Sequence, residues 1–289
     1  MPAVARPCWR RCRWRPDPQA HDMSHPGAAP LRQLLVTRPQ PQADEWVERL
    51  RGLGQPACAA PLMVIEPVAA FAAAVQAAWQ RLADCRMVMF VSPNAVLQFF
   101  AQRPAGLPWP TDTLAAATGP GTVAALQSKG VAAAQIVAPA ADADQFDAET
   151  LWLQRLESQT WAGRQVLIVR GEDGRDWLAS TLRHHGAQVD LLAAYRRTAP
   201  AWSGELLDLL QRVRQRPQDY AWLFSSSQAI GHLAAFMQTA PQAWRALHDV
   251  PAVATHLRIA QTATSLGWRT VLPLTPDAAL IAASMQTLD

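Results

Sequence analysis

Cysteine is scarce in this sequence, and its placement argues against two kinds of protein. Of the four cysteines, Cys8 and Cys12 lie in the first thirty residues, while Cys58 and Cys85 stand alone. No CxxC pair and no histidine at ligand spacing accompanies them, so we expect neither a zinc site nor a disulfide framework. Unpaired cysteines are typical of a reducing compartment, which predicts a cytoplasmic location and no bound metal.

Long apolar runs and an excess of charge are also missing. No run approaches the roughly eighteen residues that a membrane-spanning helix needs. The formal net charge of +3 belongs to residues 1–30, because the rest of the chain carries 21 basic and 21 acidic side chains. A neutral body lacks the basic surface of a nucleic-acid-binding protein. We therefore expect neither a membrane nor a nucleic acid as a partner.

The common cofactor and catalytic motifs are absent as well. The segment GPGTVAAL lacks the Gly-Lys-Ser/Thr ending of a P-loop, and no GxGxxG fingerprint, GxSxG elbow or HExxH pair occurs. Classical acid–base or metal machinery is therefore not visible in the sequence. Residues 1–30 are rich in Pro, Arg and Ala without periodicity, so we expect a disordered tail. Arg10-Arg11 suggests a twin-arginine export signal, but no apolar region follows it.

The best-defined pattern runs from Arg164 to Arg197. An apolar run at Val166–Val169 is followed by a polar turn, and helical periodicity then places Trp177, Leu178, Thr181 and Leu182 on one predicted apolar stripe. Gly186 stands where a left-handed residue would end this helix, and a second apolar run leads to Tyr195. A strand, a polar turn, a helix and another strand form the unit of a parallel α/β sheet.

This unit occurs twice, and two further segments are also repeated. The stretch from Leu34 to Met63 has the same order, and sixteen residues separate Arg38 from Gly54 as they separate Arg170 from Gly186. MVMFVSPNAVLQFF resembles WLFSSSQAIGHLAAF, and AAATGPGTVAALQSKG resembles AVATHLRIAQTATSLG. Three matched pairs predict two similarly built lobes, although any α/β chain produces some look-alike units.

The repeats predict two flavodoxin-like α/β domains with parallel sheets, one of them discontinuous. We place the first domain at residues 31–60 and 200–289 and the second at residues 68–190. Residues 61–67 and 191–199 would form a two-stranded ladder that joins the domains. Two crossings of the chain would make a hinge that lets the lobes close over a ligand.

The repeated loops follow the carboxyl ends of strands, where ligands collect in open parallel sheets. Helix amino termini and hydroxyl groups there can bind anions, and arginines can bind carboxylates in a bidentate manner. Helix capping alone would explain any single one of these loops. Several loops facing one cleft favour a polyanionic ligand instead. The candidate substrate-binding residues are Arg38, Ser92, Asn94, Gly119, Arg170, Gly171, Arg175, Ser225, Ser226, Ser227, His256 and Arg258.

Six motifs in this order resemble the uroporphyrinogen-III synthase family, with coverage from about Leu34 to the carboxyl end. They are VTRP (Val36 to Pro39), FVSPNAV (Phe90 to Val96), ATGPGTVAALQSKG (Ala117 to Gly130), VLIVRGEDGRDWL (Val166 to Leu178), the GAxV-to-YRR run (Gly186 to Arg197) and FSSSQAI (Phe224 to Ile230). The resemblance implies a cofactor-independent lyase of haem biosynthesis. Its substrate would be the linear tetrapyrrole hydroxymethylbilane, which the preceding enzyme could hand over, and a monomer is expected.

The resemblance also assigns candidate catalytic residues. The tyrosine of the family's YRR run falls on Tyr195, whose phenol would assist loss of the substrate hydroxyl. A threonine of the family's G-x-x-T-A turn falls on Thr122, although Val123 follows it here. In the second equivalent turn His256 and Arg258 replace the family's residues, so Arg258 could bind a carboxylate there.

Two other functions fit the same sequence pattern. A two-lobe small-molecule binding protein without catalysis would share the hinge and the cleft, but an exported one would need a signal peptide, and none is recognisable. A purely structural protein would leave the cleft loops without a purpose. Tetrapyrrole binding and turnover distinguish these alternatives.

We predict that Tyr195→Phe lowers turnover substantially and leaves the fold intact, because the substitution removes only the phenol oxygen. Steady-state kinetics and circular dichroism check this. Unchanged turnover would remove Tyr195 from the mechanism.

Overall fold

The computed structural model describes residues 31–286 apart from Asp144. The predicted disordered tail at residues 1–30 and the predicted end of the last helix, Thr287, lie outside the described residues. The strands, numbered in chain order, are β1 (Gln33–Val36), β2 (Ala57–Ala59), β3 (Val64–Glu66), β4 (Cys85–Phe90), β5 (Leu114–Ala117), β6 (Ile136–Val137), β7 (Gln165–Gly171), β8 (Gln188–Thr198), β9 (Tyr220–Phe224), β10 (Ala252–Ala254) and β11 (Val271–Pro273).

The helices are numbered in the same way. They are α1 (Gln42–Gly52), α2 (Ala69–Gln80), α3 (Pro93–Phe100), α4 (Pro120–Ser128), α5 (Ala148–Leu151), α6 (Trp177–His184), α7 (Gly204–Gln215), α8 (Ser227–Met237), α9 (Pro241–Trp244), α10 (Leu257–Ser265) and α11 (Ala278–Ser284). A π-helical turn, Trp152–Leu156, continues α5.

The chain divides into two compact units. Unit 1 combines the residues up to Val64 with those from Ala199 onward, and unit 2 consists of Ile65–Thr198. Unit 1 is therefore discontinuous in sequence. The short strand β3 borders β8 in the sheet of unit 2. The interdomain ladder at residues 61–67 and 191–199 and its movement as a hinge stay predictions.

Each unit is built on a parallel sheet, which confirms the predicted α/β class. The strand order is β11-β10-β9-β1-β2 in unit 1 and β3-β8-β7-β4-β5-β6 in unit 2. The pairs of β1 with β2 and β9, and of β7 with β4 and β8, are all parallel. Both faces of such a sheet are covered, which explains why β4 is an almost continuous apolar run.

The sequence repeats occupy equivalent places in the two sheets. The order β2-β1-β9-β10-β11 matches β8-β7-β4-β5-β6 position by position. In unit 1 this is the flavodoxin-like order 2-1-3-4-5 along the chain. Unit 2 reaches the same spatial arrangement with its strands in a different chain order. The three repeated segments begin at β1 and β7, at β9 and β4, and at β10 and β5.

Four glycines end corresponding helices in the two units. Gly54, Gly130, Gly186 and Gly267 all have positive φ, from 80° to 107°. This conformation is unfavourable for residues with a Cβ atom, so glycine is the usual residue after a helix. The left-handed conformation expected of Gly186 is therefore confirmed.

Packing follows the predicted periodicity in most elements. In α1, residues Ala43, Trp46, Val47 and Leu50 face the core at the spacing of an amphipathic helix. In β4, Val88 and Phe90 belong to one core cluster while Met87 and Met89 belong to the other, so the strand is buried on both faces.

One sequence prediction needs correction. The predicted stripe of α6 is wrong at its first member, since Trp177 is 40% exposed and the buried residues are Leu178, Ala179 and Leu182. No helix among the residues that the structure describes has the length and apolar character needed to cross a bilayer.

Gly186→Ala should destabilise the protein more than the matched substitution Gly130→Ala. Both place a Cβ atom at positive φ, but only at Gly186 would this atom meet a neighbour, lying 3.0 Å from Ala162 Cα. We expect an extra loss of about 1–3 kcal/mol in the free energy of unfolding at Gly186. Urea unfolding followed by circular dichroism measures this, and equal losses would contradict it.

Candidate active site

Each sheet contains one point at which the direction of strand addition reverses. In unit 1 this switch lies between β1 and β9, and in unit 2 it lies between β7 and β4. In open parallel sheets, ligands bind in the crevice outside the carboxyl ends of the strands at such a point. Most of the predicted site residues follow these four strands, and the others follow β5 and β10 or lie on β8.

The switch point of unit 2 brings together two hydroxyl groups. Tyr195 lies on β8 with only 2% of its surface exposed. Its Oη atom is 3.0 Å from Ser92 Oγ, at the start of α3, and either atom can be the donor. Ser92 Oγ also accepts a hydrogen bond from the amide of Ala95 at 3.2 Å. Ser92 therefore caps α3 and also holds the phenol of Tyr195 by a hydrogen bond.

A glycine beside the tyrosine makes room for the ring. Gly171 ends β7 and pairs with Tyr195 after a shift of register at Arg170. A Cβ atom on Gly171 would lie 3.1 Å from Tyr195 Cε2, closer than ordinary packing allows. Gly171 thus permits the close approach of the ring, and its role in the structure is to accommodate Tyr195.

Two of the predicted substrate-binding arginines already have carboxylate partners. Arg170 is buried and forms an ion pair with Asp176. Arg175 Nη1 lies 3.1 Å from Glu149 Oε1. Arg170, near the end of β7, and Arg175, in the loop that leads from β7 to α6, therefore already bind carboxylates of the chain itself.

The same loop is tied to β8 by two further arginines. Arg196 donates to both carboxylate oxygens of Glu172, at 2.5 and 2.9 Å, and this hydrogen bonding holds the pKa of Glu172 below its ordinary value. Arg197 Nη2 donates to the carbonyl of Asp173 at 2.5 Å. The amide of Glu172 donates to the carbonyl of Tyr195 at 2.8 Å. These contacts hold the loop against the strand that carries the tyrosine.

The turn after β5 contributes packing as well as a helix start. Gly119 precedes α4 with an extended backbone, and a Cβ atom there would lie 2.9 Å from Phe146 Cβ. The amide of Thr122 already donates to the carbonyl of Gly119 at 3.0 Å, and Thr122 is only 2% exposed. The structure thus places Thr122 within the packing of α4, while Asn94 lies in the first turn of α3.

The serine turn after β9 repeats the capping geometry of unit 2. Ser226 Oγ accepts from the amide of Ala229 at 3.3 Å, as Ser92 does in α3. Ser227 Oγ lies 2.9 Å from Thr262 Oγ1. Ser225 precedes both and is partly exposed at the end of the strand.

In the loop after β10, a histidine caps the following helix in place of a serine or threonine. His256 Nδ1 accepts a hydrogen bond from the amide of Arg258 at 3.1 Å, so the imidazole caps α10. The side chain of Arg258 is exposed. In the loop after β1, Arg38 lies with its guanidinium carbon 4.6 Å from the centre of the Trp46 ring.

Metal-binding groups and a surface cavity are two further features that could mark a site. Across the described residues, no group of three or more His, Cys, Asp or Glu side chains could hold a metal ion. A cavity of about 340 Å³, lined by Arg86, Gln159, Thr160 and Arg164, lies near the amino ends of β4 and β7. Its arginines are exposed, and it lies at the end of the sheet opposite to the carboxyl ends of the strands, where ligands of open parallel sheets bind.

A comparison with models of protein families shows the family of this chain. The family model described as uroporphyrinogen-III synthase HemD matches residues 44–282, which is most of the chain. This chain belongs to the uroporphyrinogen-III synthase family. It is 37% identical over 175 residues to the uroporphyrinogen-III synthase of Salmonella typhimurium, covering 59% of this chain and 67% of that protein. The Escherichia coli synthase is 35% identical over 176 residues, with the same shares covered.

A solved structure supports the fold. A mutant uroporphyrinogen III synthase from Thermus thermophilus superimposes with a TM-score of 0.56 and covers 89% of this chain and 98% of its own. At 15% identity this likeness shows the two-domain α/β fold alone. For a member of the uroporphyrinogen-III synthase family, the enzyme class is a cyclising lyase.

The sequence patterns predict Arg170, Ser92 and Tyr195 as site residues but do not predict their contacts. No motif points to Glu172 and Asp176, although each stands within six residues of Arg170 on the polar turn. The bond between Ser92 and Tyr195 joins residues 103 positions apart, and no local pattern reports such a contact.

Ser92→Ala should change the environment of Tyr195, while the matched substitution Ser226→Ala should not. Both remove a helix cap, at a cost of about 1 kcal/mol in the free energy of unfolding. Only Ser92 contacts a phenol. The chain has two tyrosines, so spectra of tyrosine-labelled protein resolve them directly. We expect the Tyr195 ring signal to shift in Ser92→Ala alone. A shift of similar size in Ser226→Ala would contradict this assignment.

Proposed function

We propose that this chain closes hydroxymethylbilane to uroporphyrinogen III, with inversion of ring D and loss of one water molecule, as a step of haem biosynthesis. The match of the family model to residues 44–282 carries this proposal. The hydrogen-bonded pair of Tyr195 and Ser92 at a topological switch point supports it. The alternative of a binding protein without catalysis has no comparable support.

The reaction requires the protein mainly to hold the substrate in one conformation and to supply a proton. The C–O bond of the terminal hydroxymethyl group breaks, and the pyrrole nitrogen stabilises the resulting azafulvene. Ring D attacks through its substituted carbon, and a spiro intermediate forms. This intermediate reopens and closes again with ring D reversed. Without a protein the chain closes to the symmetric isomer, so holding one conformation decides the product.

Tyr195 is our candidate for the proton donor. Its phenol would protonate the departing hydroxyl, which then leaves as water, and Ser92 would orient the phenol. The proton that ring D loses when the macrocycle closes would restore the phenol. A buried ring with one fixed hydroxyl contact is suited to this role, because hydrogen bonds are stronger where water is excluded. General acid catalysis contributes about 10²–10⁴ in rate.

Thr122 is a weaker candidate for direct catalysis. Thr122 is as buried as Tyr195, at 2% exposure, so burial does not separate the two residues. Its place in the first turn of α4, where its amide donates to the carbonyl of Gly119 at 3.0 Å, suits a structural role. We propose instead that Thr122 keeps the start of α4 in place. The amides at the starts of α3 and α4 can then meet substrate carboxylates.

The substrate carries eight carboxylates, and each unit offers its own candidate ligands for them. In unit 2 we propose Ser92, Asn94 and the backbone at Gly119 and Gly171. Arg170 and Arg175 would act there by holding the loop of Gly171. In unit 1 we propose the hydroxyl groups of Ser225, Ser226 and Ser227, with His256 and Arg258 at the next strand end. Distributed amide and hydroxyl donors suit a polyanion without a single strong cationic site.

The cellular context also remains a proposal. Among the described residues, Cys58 and Cys85 lie outside any disulfide bond, which fits a reducing cytoplasm. We propose that the chain works there as a monomer on substrate supplied by the enzyme that makes hydroxymethylbilane.

The proposal is tested by the isomer formed. Purified protein is supplied with enzymatically generated hydroxymethylbilane, and the oxidised products are separated into isomers I and III. We expect isomer III from the wild-type chain. We expect mostly isomer I from Tyr195→Phe, because a loss of about 100-fold or more in rate lets uncatalysed closure overtake the enzyme.

A wild-type protein that leaves isomer I as the product would refute the proposed activity. A Tyr195→Phe variant that still gives isomer III at the wild-type rate would refute only the role of the phenol. Substrate binding is measured separately for the wild type and for Tyr195→Phe, and it shows that both proteins are folded and bind the substrate.

A further inference from the structure

The structural repeat places two arginines in corresponding positions with different surroundings. Arg38 follows β1 and Arg170 lies near the end of β7, and each is followed by an aspartate six residues later, Asp44 and Asp176. In unit 2 the arginine and the aspartate form an ion pair. In unit 1 Gln40 Nε2 donates to Asp44 Oδ1 at 3.0 Å instead. The same sequence pattern therefore gives an arginine that is paired with its aspartate, Arg170, and an arginine that is not, Arg38.

Arg38 rests on an aromatic ring that takes up none of its hydrogen-bond donors. Its guanidinium carbon lies 4.6 Å from the centre of the Trp46 ring, and Trp46 is itself part of the core cluster of unit 1. A cation held over a ring face keeps its five N–H groups in the plane of the guanidinium, free to point at an anion. Trp46 would thus orient Arg38 without occupying it.

One buried hydrogen-bond donor of Arg38, Nε, has no partner among the described residues. Among the residues that the structure describes, Nε of Arg38 is buried and has no hydrogen-bond partner, and no carboxylate lies within ion-pair distance of this side chain. Burial, together with the nearby charge of Arg49, lowers the pKa of Arg38 to about 10, and Glu45 raises it in part. At neutral pH the side chain still carries its charge. A buried cation without a counter-charge is costly unless a ligand supplies one.

We propose that Arg38 is a carboxylate-binding residue for the substrate, held ready by Trp46, and that its counterpart Arg170 has become a support for the loop. This inference rests on the proposed function for the identity of the ligand. A carboxylate accepting from Nε and one terminal nitrogen would satisfy the buried donor and neutralise the cation at once.

The test compares Arg38→Gln with Arg49→Gln. Both remove one positive charge from the same end of unit 1, but the side chain of Arg49 is exposed on α1. For Arg38→Gln we expect KM for hydroxymethylbilane to rise about tenfold or more while kcat changes less than about twofold, because a charged hydrogen bond is lost from binding. For Arg49→Gln we expect changes below about twofold, because exposed charges are screened. Arg38→Lys should fall between, since lysine keeps the charge and loses the bidentate geometry.

A direct binding measurement separates this inference from the proposed activity. Uroporphyrin, a stable porphyrin with eight carboxylates, is titrated with each protein and followed by its own fluorescence. We expect Kd to rise about tenfold or more for Arg38→Gln and to stay near the wild-type value for Arg49→Gln. This result would support Arg38 as a carboxylate-binding residue even if the wild-type chain formed no isomer III. Equal changes in the two variants would overturn the inference, because they would report only the general field of positive charge.

Thermal unfolding tests the remaining explanation, that Arg38 only stabilises the fold through Trp46. We expect Tm of Arg38→Gln to equal or exceed that of the wild type, because an uncompensated buried cation is removed. A lower Tm combined with unchanged KM and Kd would assign Arg38 a structural role and refute the inference.

Discussion

The pairing of three neighbouring strands, β4, β7 and β8, is the constraint on which the site of unit 2 depends. Parallel pairing brings their carboxyl ends to one edge of the sheet, so Ser92, Gly171 and Tyr195 meet there although they are far apart in sequence. The register shift beside Gly171 is part of this arrangement, because it sets Tyr195 opposite a residue without a side chain. If any of the three strands were displaced, the contact between the two hydroxyl groups would be lost.

The loop between β7 and α6 is fixed by charge where the strands end. Arg170, Arg175, Arg196 and Arg197 each bind a carboxylate or a carbonyl of unit 2. Single exposed ion pairs contribute little to stability. Here several such contacts act on one short loop and restrict its conformations, so they make the loop beside Tyr195 more rigid. A rigid site suits a reaction whose outcome depends on the conformation in which a flexible chain is held.

The two units share an arrangement of strands and differ in what the strand ends carry. Ser92 and Ser226 cap corresponding helices in the same way. The phenol, in contrast, belongs to unit 2 alone, since the other tyrosine of the chain, Tyr220, begins β9 at the opposite end of its sheet. The two units thus carry similar sets of loops, and the phenol proposed for catalysis lies in only one of them.

Local pattern in the sequence determined the elements, the repeat and the family. Apolar runs such as Val166–Val169 predict buried parallel strands, and Gly186 predicts a helix end, because these signals depend only on neighbouring residues and their allowed backbone conformations. Tertiary structure alone decided which face of α6 is buried, so the expectation for Trp177 failed. It also decided that Ser92 meets Tyr195, and that Arg170 is paired while Arg38 is not. The physical reason is the same in each case: a side chain's partner is set by strand order and by packing across the sheet, and neither is encoded in the residues beside it.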